Sequence, residues 1–221
     1  MEIIPAVIPK NFIDIEEKAE LAKDFLSTIQ IDVCDGGFVQ NRTWPFENDF
    51  GEFEKIKSEE IGLPFWEDLD YEIHLMTRTP EDEVEDWVKA GAMRIFLHLE
   101  SAQDSFLNIL EEWGKVVDIG LAIKMETPVT SLTAYFEKVQ SIQLMAINRI
   151  GFQGEKFDEK IFEKVKELRK LGFNHRISID GGVDLENAKI FKGLGVDAVV
   201  IGSEIWGNDN PQYAMMDFKS L

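Results

Sequence analysis

The sequence predicts a closed (β/α)8 barrel, an α/β TIM-barrel fold, on three observations. Apolar runs rich in β-branched residues alternate with amphipathic helical segments from end to end, the pattern of parallel strands joined by crossover helices. The alternation repeats about eight times within 221 residues, a length that holds one full core. Three of the runs, Gln30–Gly36, Glu72–Met76 and Ser178–Gly182, carry a polar, metal-capable side chain where strand passes into loop. In parallel α/β folds that carboxyl edge is where chemistry is placed. A doubly wound open sheet is the alternative, but it usually needs fewer strands. No linker or low-complexity tract interrupts the pattern, so one domain over 1–221 is expected.

The strands are expected near 3–8, 28–33, 70–76, 93–99, 117–123, 142–147, 175–180 and 197–202. A helix is expected over Ile13 to Leu26, with Asp14 and Glu16 in its first turn. A second runs from Pro80 to Ala90, with Thr79 as N-cap and Pro80 at the first helical position. A third runs from Phe157 to Leu171, acidic at its start and basic at its end as the helix dipole favours, and Gly172 ends it. A fourth covers Asp184 to Lys189. The stretch from Cys34 to Asp70 is long for one crossover. It reads as an irregular loop and a short helix, either a lid over the site or an insertion that only packs.

Composition narrows the function. The hydrophobic share is 44% and no apolar run approaches the roughly 20 residues of a membrane span. The first residues show no basic-then-apolar signal pattern. Cys34 is the only cysteine, so no intramolecular disulfide forms and a cytoplasmic, reducing setting is expected. The net charge of −19 argues against nucleic acid and anionic membrane as partners. A small molecule is the expected partner, with a homo-oligomer left open. A phosphorylated substrate would have to be met by backbone N–H groups, which are locally positive whatever the overall charge.

Strand alternation then selects residues. Gln30, Asp32 and Cys34 share one face of the second strand, while Ile29, Ile31 and Val33 share the other and should meet the helices. A carboxylate facing the barrel interior is costly unless it is paired or binds a cation, which marks Asp32 as functional. Asp35 is read as shaping the turn before Gly36 and Gly37. On the seventh strand, Ser178 and Asp180 face inward by the same alternation. Asp32 and Asp180 are expected nearly across the barrel from each other, and two carboxylates on opposite sides of a planar intermediate are what a two-base epimerisation needs. His74 joins them. A divalent ion held by carboxylate and imidazole would stabilise an enediolate. His98 is given a structural reading and His175 is placed away from the site. Gly181-Gly182, Gly202-Ser203 and the Gly151–Gly154 loop follow strands seven, eight and six, where barrels often bind phosphate.

Together these segments resemble the ribulose-phosphate 3-epimerase family. The resemblance is carried by Ile31-Asp32-Val33-x-Asp35-Gly36-x-Phe38-Val39-x-Asn41-x-Thr43, Ile73-His74-Leu75-Met76, Gly151-Phe152-x-Gly154, Ile179-Asp180-Gly181-Gly182-Val183 and Ile201-Gly202-Ser203-x-Ile205-x-Gly207. It runs nearly the whole chain. It implies the ribulose-phosphate-binding type of barrel. It also implies interconversion of D-ribulose 5-phosphate and D-xylulose 5-phosphate with a divalent cation, among Fe, Zn, Mn and Mg. By position, Asp32 and Asp180 take the catalytic roles, and Asp32, His74 and Asp180 the metal. Gln30 falls where the family has a second metal histidine, contributing weakly or through water. Gly154, Gly181, Gly182, Gly202 and Ser203 take the phosphate, and Ala6, Cys34, Met76 and Met145 line the substrate pocket.

The chain departs from the family's pattern at Ala6, where a site serine stands, and at Cys34, where a methionine stands. It departs again in the Asn148–Glu155 loop, which is one residue longer, with Gln153 for a glycine and Glu155 for a glutamine. Glu155 is expected to point to solvent. Two alternatives stay open: an epimerase or isomerase for a related ketose phosphate, and a non-catalytic sugar-phosphate-binding barrel. The related barrel decarboxylases and aldol synthases carry an Asp-x-Lys-x-x-Asp pattern on the third strand, and 72–76 contains no lysine.

Overall fold

The computed structural model describes residues 1–102 and 106–221. Eight parallel strands close into a barrel in sequence order. They are β1 (Glu2–Val7), β2 (Thr28–Cys34), β3 (Asp70–Met76), β4 (Arg94–His98), β5 (Asp118–Ile123), β6 (Ser141–Met145), β7 (Arg176–Asp180) and β8 (Ala198–Ile201), each within about two residues of its expected span. Around them lie α1 (Phe12–Ala22), α2 (Glu52–Lys57), α3 (Val84–Lys89), α4 (Phe106–Trp113), α5 (Ile161–Lys170), α6 (Leu185–Gly193), α7 (Ser203–Trp206) and α8 (Pro211–Lys219). A 3-10 segment, Val129–Tyr135, replaces a helix between β5 and β6. Among the described residues, no helix is long and apolar enough to cross a membrane.

The strands sort their side chains as the alternation predicts. Ile29, Ile31 and Val33 join the outer core with Ile15, Ala19, Trp44 and Trp87, while Gln30, Glu72, His74, Gln143 and Ser178 are buried inside the barrel. The amino-terminal end of the interior is closed by charge. Arg94 donates to Glu72 at 2.7 Å and to Asp118 at 2.6 Å, Arg176 pairs with Glu2, and Thr28 donates to Glu2 at 2.7 Å. Above that plug, Phe96 crosses towards β5, where Gly120 leaves room. A Cβ there would sit 2.6 Å from the Phe96 ring and 2.5 Å from the Ser141 hydroxyl. The plug and Phe96 fill the barrel interior below its carboxyl-terminal mouth.

Several helix expectations are corrected. Thr79 makes no capping bond, and Pro80–Asp82 forms a 3-10 turn before α3, so the continuous helix over 80–90 is interrupted. Helix α5 starts four residues later than expected because Phe157 pairs in an antiparallel bridge with Ile147 and Asp158 N donates to Ala146 at 2.9 Å. Helix α1 stops at Ala22, not Leu26, and Asn11 caps its start by accepting from Asp14 N at 3.0 Å. Helix α6 runs on to Gly193 from a capping box between Asp184 and Asn187.

The long segment after β2 serves two purposes. Trp44 is fully buried against Phe12, Phe53 and Trp87. Phe38 and Val39 instead pack with Cys34, Met76, Met145, Ile147 and Ile150 at the mouth. Asp35 shapes the turn as expected, accepting from Gly37 N at 2.7 Å, Phe38 N at 3.1 Å and Arg78 N at 2.9 Å.

Candidate active site

Three expected residues meet at the mouth. His74 Nδ1 lies 3.2 Å from Asp32 Oδ1 and 3.3 Å from Asp180 Oδ2. One potential ligand atom from each of Asp32, His74 and Asp180 lies within 4.8 Å of the others. β2 and β7 are three strands apart around the ring, one short of diametric, so the two carboxylates lean towards a common centre.

Gln30 completes that centre in a way its position alone did not specify. Its Nε2 donates to Asp32 Oδ1 at 2.8 Å and to Asp180 Oδ2 at 3.0 Å. The amide therefore stands between two carboxylates, where a cation would stand. Gln143 Nε2, on β6, donates to the same Asp180 oxygen at 3.0 Å. Gln143 was not singled out from sequence. The signal was there, since Ser141, Gln143 and Met145 share the inner face of β6 while Ile142 and Leu144 face the helices.

Electrostatics follow from burial. Burial raises the Asp32 carboxyl above its ordinary value, and the nearby Asp180 charge raises it further. Burial works against a charged His74, but hydrogen bonds from its Nδ1 to Asp180 and Asp32 prevail and hold the imidazole up at about 9. Two carboxylates this close do not easily ionise together, and a cation between them, either imidazolium or metal, relieves the repulsion.

His98, read as structural, lies directly behind His74, with the two Nε2 atoms 2.9 Å apart. Its Nδ1 is 3.0 Å from Glu100 Oε2. Burial depresses His98 to about 4, so it is neutral at pH 7. Burial opposes the charge on Glu100, yet bonds from His98, Thr127 and Lys124 N bring it to about 2. Glu100 was not picked out from sequence, although His98-Leu99-Glu100 continues the inward face of β4 by two residues. His175 is exposed at the opposite end, before β7.

The residues fit a divalent cation. Two carboxylates and an imidazole form a mixed O/N donor set accepted by several first-row metals. Gln30 Oε1 is buried with no hydrogen-bond partner. A half-turn of that amide would set an oxygen towards both carboxylates, an arrangement that a cation between them would satisfy.

A narrow pocket opens above the carboxylates, lined by Ala6, Asp32, Met76, Met145, Gly154, Asp180, Gly181, Gly182, Gly202 and Ser203 among others. Cys34 is buried just beside it in the apolar cluster with Met76 and Met145, and burial raises its thiol, which keeps it protonated. Gly181, at φ +104°, could not carry a Cβ without meeting Ile147 at 2.7 Å. The altered loop also reaches in. Gln153 Nε2 donates to Ala6 O at 3.2 Å and lies 2.9 Å from where a Gly202 Cβ would be. Glu155 lies at the cavity edge, its side chain 28% exposed and paired with the exposed Arg149 of the same loop at 3.5 Å.

A sequence profile of the Ribulose-phosphate 3 epimerase family matches residues 2–206. The chain belongs to the ribulose-phosphate 3-epimerase family. A ribulose-phosphate 3-epimerase of Chlamydia muridarum is 34% identical, with 82% of this chain and 77% of that protein covered. The enzyme of the same name from Escherichia coli K12 is 29% identical, with 96% and 90% covered. The cytoplasmic isoform of rice is 27% identical, with 95% and 89% covered. This member of the family is accordingly an isomerase-class enzyme. The crystal structure of a 3-hexulose-6-phosphate synthase superposes with a TM-score of 0.74 at 15% identity, covering 100% of this chain and 99% of that one. KGPDC from Streptococcus mutans in complex with D-R5P does so with 0.72 at 17%, covering 99% and 95%. At these identities the likeness establishes the shared barrel alone.

Proposed function

We propose that this epimerase-family enzyme inverts C3 of a ketose phosphate, D-ribulose 5-phosphate to D-xylulose 5-phosphate, by proton transfer between two carboxylates. The observation that carries the reading is the convergence of Asp32 and Asp180 on His74 and Gln30 at the mouth of the barrel. One carboxylate takes the C3 proton from one face of the sugar. The other returns a proton to the opposite face of the planar enediolate, and the roles reverse for the opposite direction. The direction of the Asp32 shift suits this, since burial and the neighbouring Asp180 charge raise its carboxyl and favour its holding a proton. His74 and Gln30 hold both carboxylates in position, and Gln143 orients Asp180.

Asp32, His74 and Asp180 would hold a divalent cation, with Gln30 contributing weakly or through water. Such an ion would supply stabilisation of negative charge building on the C2 oxygen. The sugar phosphate would lie along the cavity, its phosphate at backbone N–H groups of Gly154, Gly181, Gly182, Gly202 and Ser203, against Ala6, Met76 and Met145. No lysine or arginine lines this cavity among the described residues, which leaves the backbone as its source of positive potential. A cytoplasmic setting belongs to the same reading, supported by a single, buried, unpaired Cys34.

A second reading, a related ketose phosphate, is favoured by Gln153 and Glu155, which narrow the cavity beside Gly202 and add a carboxylate to it. One experiment separates the readings: solvent deuterium incorporation at C3 of ribulose 5-phosphate and of other ketose phosphates, with and without Mn²⁺. Asp32→Asn should abolish incorporation. If neither the native protein nor Gln30→His exchanges the proton of any ketose phosphate, with any metal, the barrel binds sugar phosphates without turning them over.

A further inference from the structure

A row of three side chains leads away from the carboxylates. His74 turns Nδ1 to Asp32 and Asp180 and Nε2 to His98 Nε2 at 2.9 Å. His98 turns Nδ1 to Glu100 Oε2 at 3.0 Å. Both imidazoles are fully buried, so water does not compete for their nitrogens. Their rings pack at 5.0 Å, and Phe38 closes over His98 at 5.0 Å.

Each contact in the row holds one hydrogen, so one end sets the direction of all. Glu100 is occupied as an acceptor: its Oε1 takes the Lys124 N–H at 2.8 Å and the Thr127 hydroxyl. The hydrogen shared with Oε2 therefore sits on His98 Nδ1. A neutral His98 then presents a lone pair at Nε2, and His74 must donate from its own Nε2. In a neutral His74 the remaining lone pair is on Nδ1, the nitrogen that faces both aspartates. Were the row inverted, Nδ1 would carry the hydrogen and face the carboxylates as a donor only, closed to a cation.

We propose that His98 and Glu100 are positioning residues that fix the hydrogen of His74 on Nε2, so that Nδ1 faces Asp32 and Asp180 with a lone pair open to a divalent cation. The proposal rests on the reading of Asp32, His74 and Asp180 as a cation site, and its test separates the two. Metal-binding histidines commonly depend on such an outer partner for ring orientation and tautomer. Here the partner is a second imidazole, which extends the control to Glu100, whose side chain is 20% exposed.

The test uses the full chain labelled with ¹⁵N-histidine, which carries three histidines. Two-bond ¹H–¹⁵N spectra of the metal-free protein are expected to show His98 protonated at Nδ1 and bare at Nε2. They should show His74 protonated at Nε2, and bare at Nδ1 once the ring is neutral. Glu100→Gln offers an amide that can donate to His98 Nδ1. It is expected to invert both rings and to weaken Mn²⁺ binding, measured by calorimetry, by roughly 10–100-fold. His98→Leu should weaken it as much. His98→Gln keeps an acceptor oxygen for His74 Nε2 and should restore most of the affinity, a rescue that a merely structural role would not give. A wild-type His98 protonated at Nε2, or a Glu100→Gln protein with both tautomers and Mn²⁺ affinity unchanged, overturns the proposal. If the wild type binds no Mn²⁺, the cation-site reading fails and the proposal with it; a tautomer pattern that fails while Mn²⁺ binds overturns the relay alone.

Discussion

Replacing Gln30 by leucine removes the one amide that both aspartates share. Gln30 is fully buried, and its Nε2 makes two bonds, at 2.8 and 3.0 Å, to carboxylate oxygens. A hydrogen bond to a charged partner contributes about 1.5–3 kcal/mol, so losing both costs about 3–6 kcal/mol. His74 still donates to each carboxylate and Gln143 to Asp180, so neither is orphaned. The expected loss therefore lies at the lower end, about 3 kcal/mol. Urea unfolding in EDTA measures it, with the midpoint shifting at constant slope. Gln30→His is the counterpart: it places an imidazole where the amide stood and should tighten Mn²⁺ binding and raise deuterium exchange at C3. A Gln30→Leu protein within about 0.5 kcal/mol of wild type in EDTA, the range of surface substitutions, would refute the idea that this amide substitutes for a cation between the aspartates.

Three further outcomes are expected. Glu155→Gln should raise the affinity for inorganic phosphate several-fold by calorimetry, since it removes a carboxylate from the cavity wall; unchanged affinity would put Glu155 beyond the anion's reach. Gly181→Ala should lower stability by about 1–3 kcal/mol in thermal or urea unfolding, because φ +104° and the Ile147 side chain at 2.7 Å both oppose a Cβ; a neutral result would show that the turn can relax. Burial pushes Glu72 from 4.5 up to about 7 despite Arg94. Between those values the folded state keeps a proton that the unfolded state has released, so stability falls by about 3 kcal/mol as pH rises across the window and is level above it. Glu72→Gln should flatten that fall, and urea curves from pH 4.5 to 8 that run parallel for the two proteins would rule it out.

The parts of the site legible in the sequence were those governed by local rules. Asp32, His74 and Asp180 sit at inward positions near strand ends, and a period of two along a strand is enough to find such positions. Asp35 announced its turn through the glycines that follow it. Gln143 obeyed the same period and was passed over, because a neutral amide inside a barrel carries no charge to be explained. The helix starts misjudged at Thr79 and Phe157 share a cause. In each case the chain first makes a non-helical contact, a 3-10 turn at Pro80 or a bridge to Ile147, that propensity does not anticipate.

The barrel, its eight strand spans to within about two residues, and the side chains that face the interior were legible in the chain, because these depend on residues next to one another. What those side chains do to each other was set by contacts between distant parts of the chain. Gln30 and Asp180 are 150 residues apart, Gln153 and Ala6 are 147 apart, and His74 meets His98 across two neighbouring strands. Their hydrogen-bond directions and the order of the row from Asp32 to Glu100 depend on distances of about 3 Å, set when the ring closes. Alternation along one strand says which way a residue faces. Closure of the barrel says which residue it faces, and at this site that second fact governs where the protons sit.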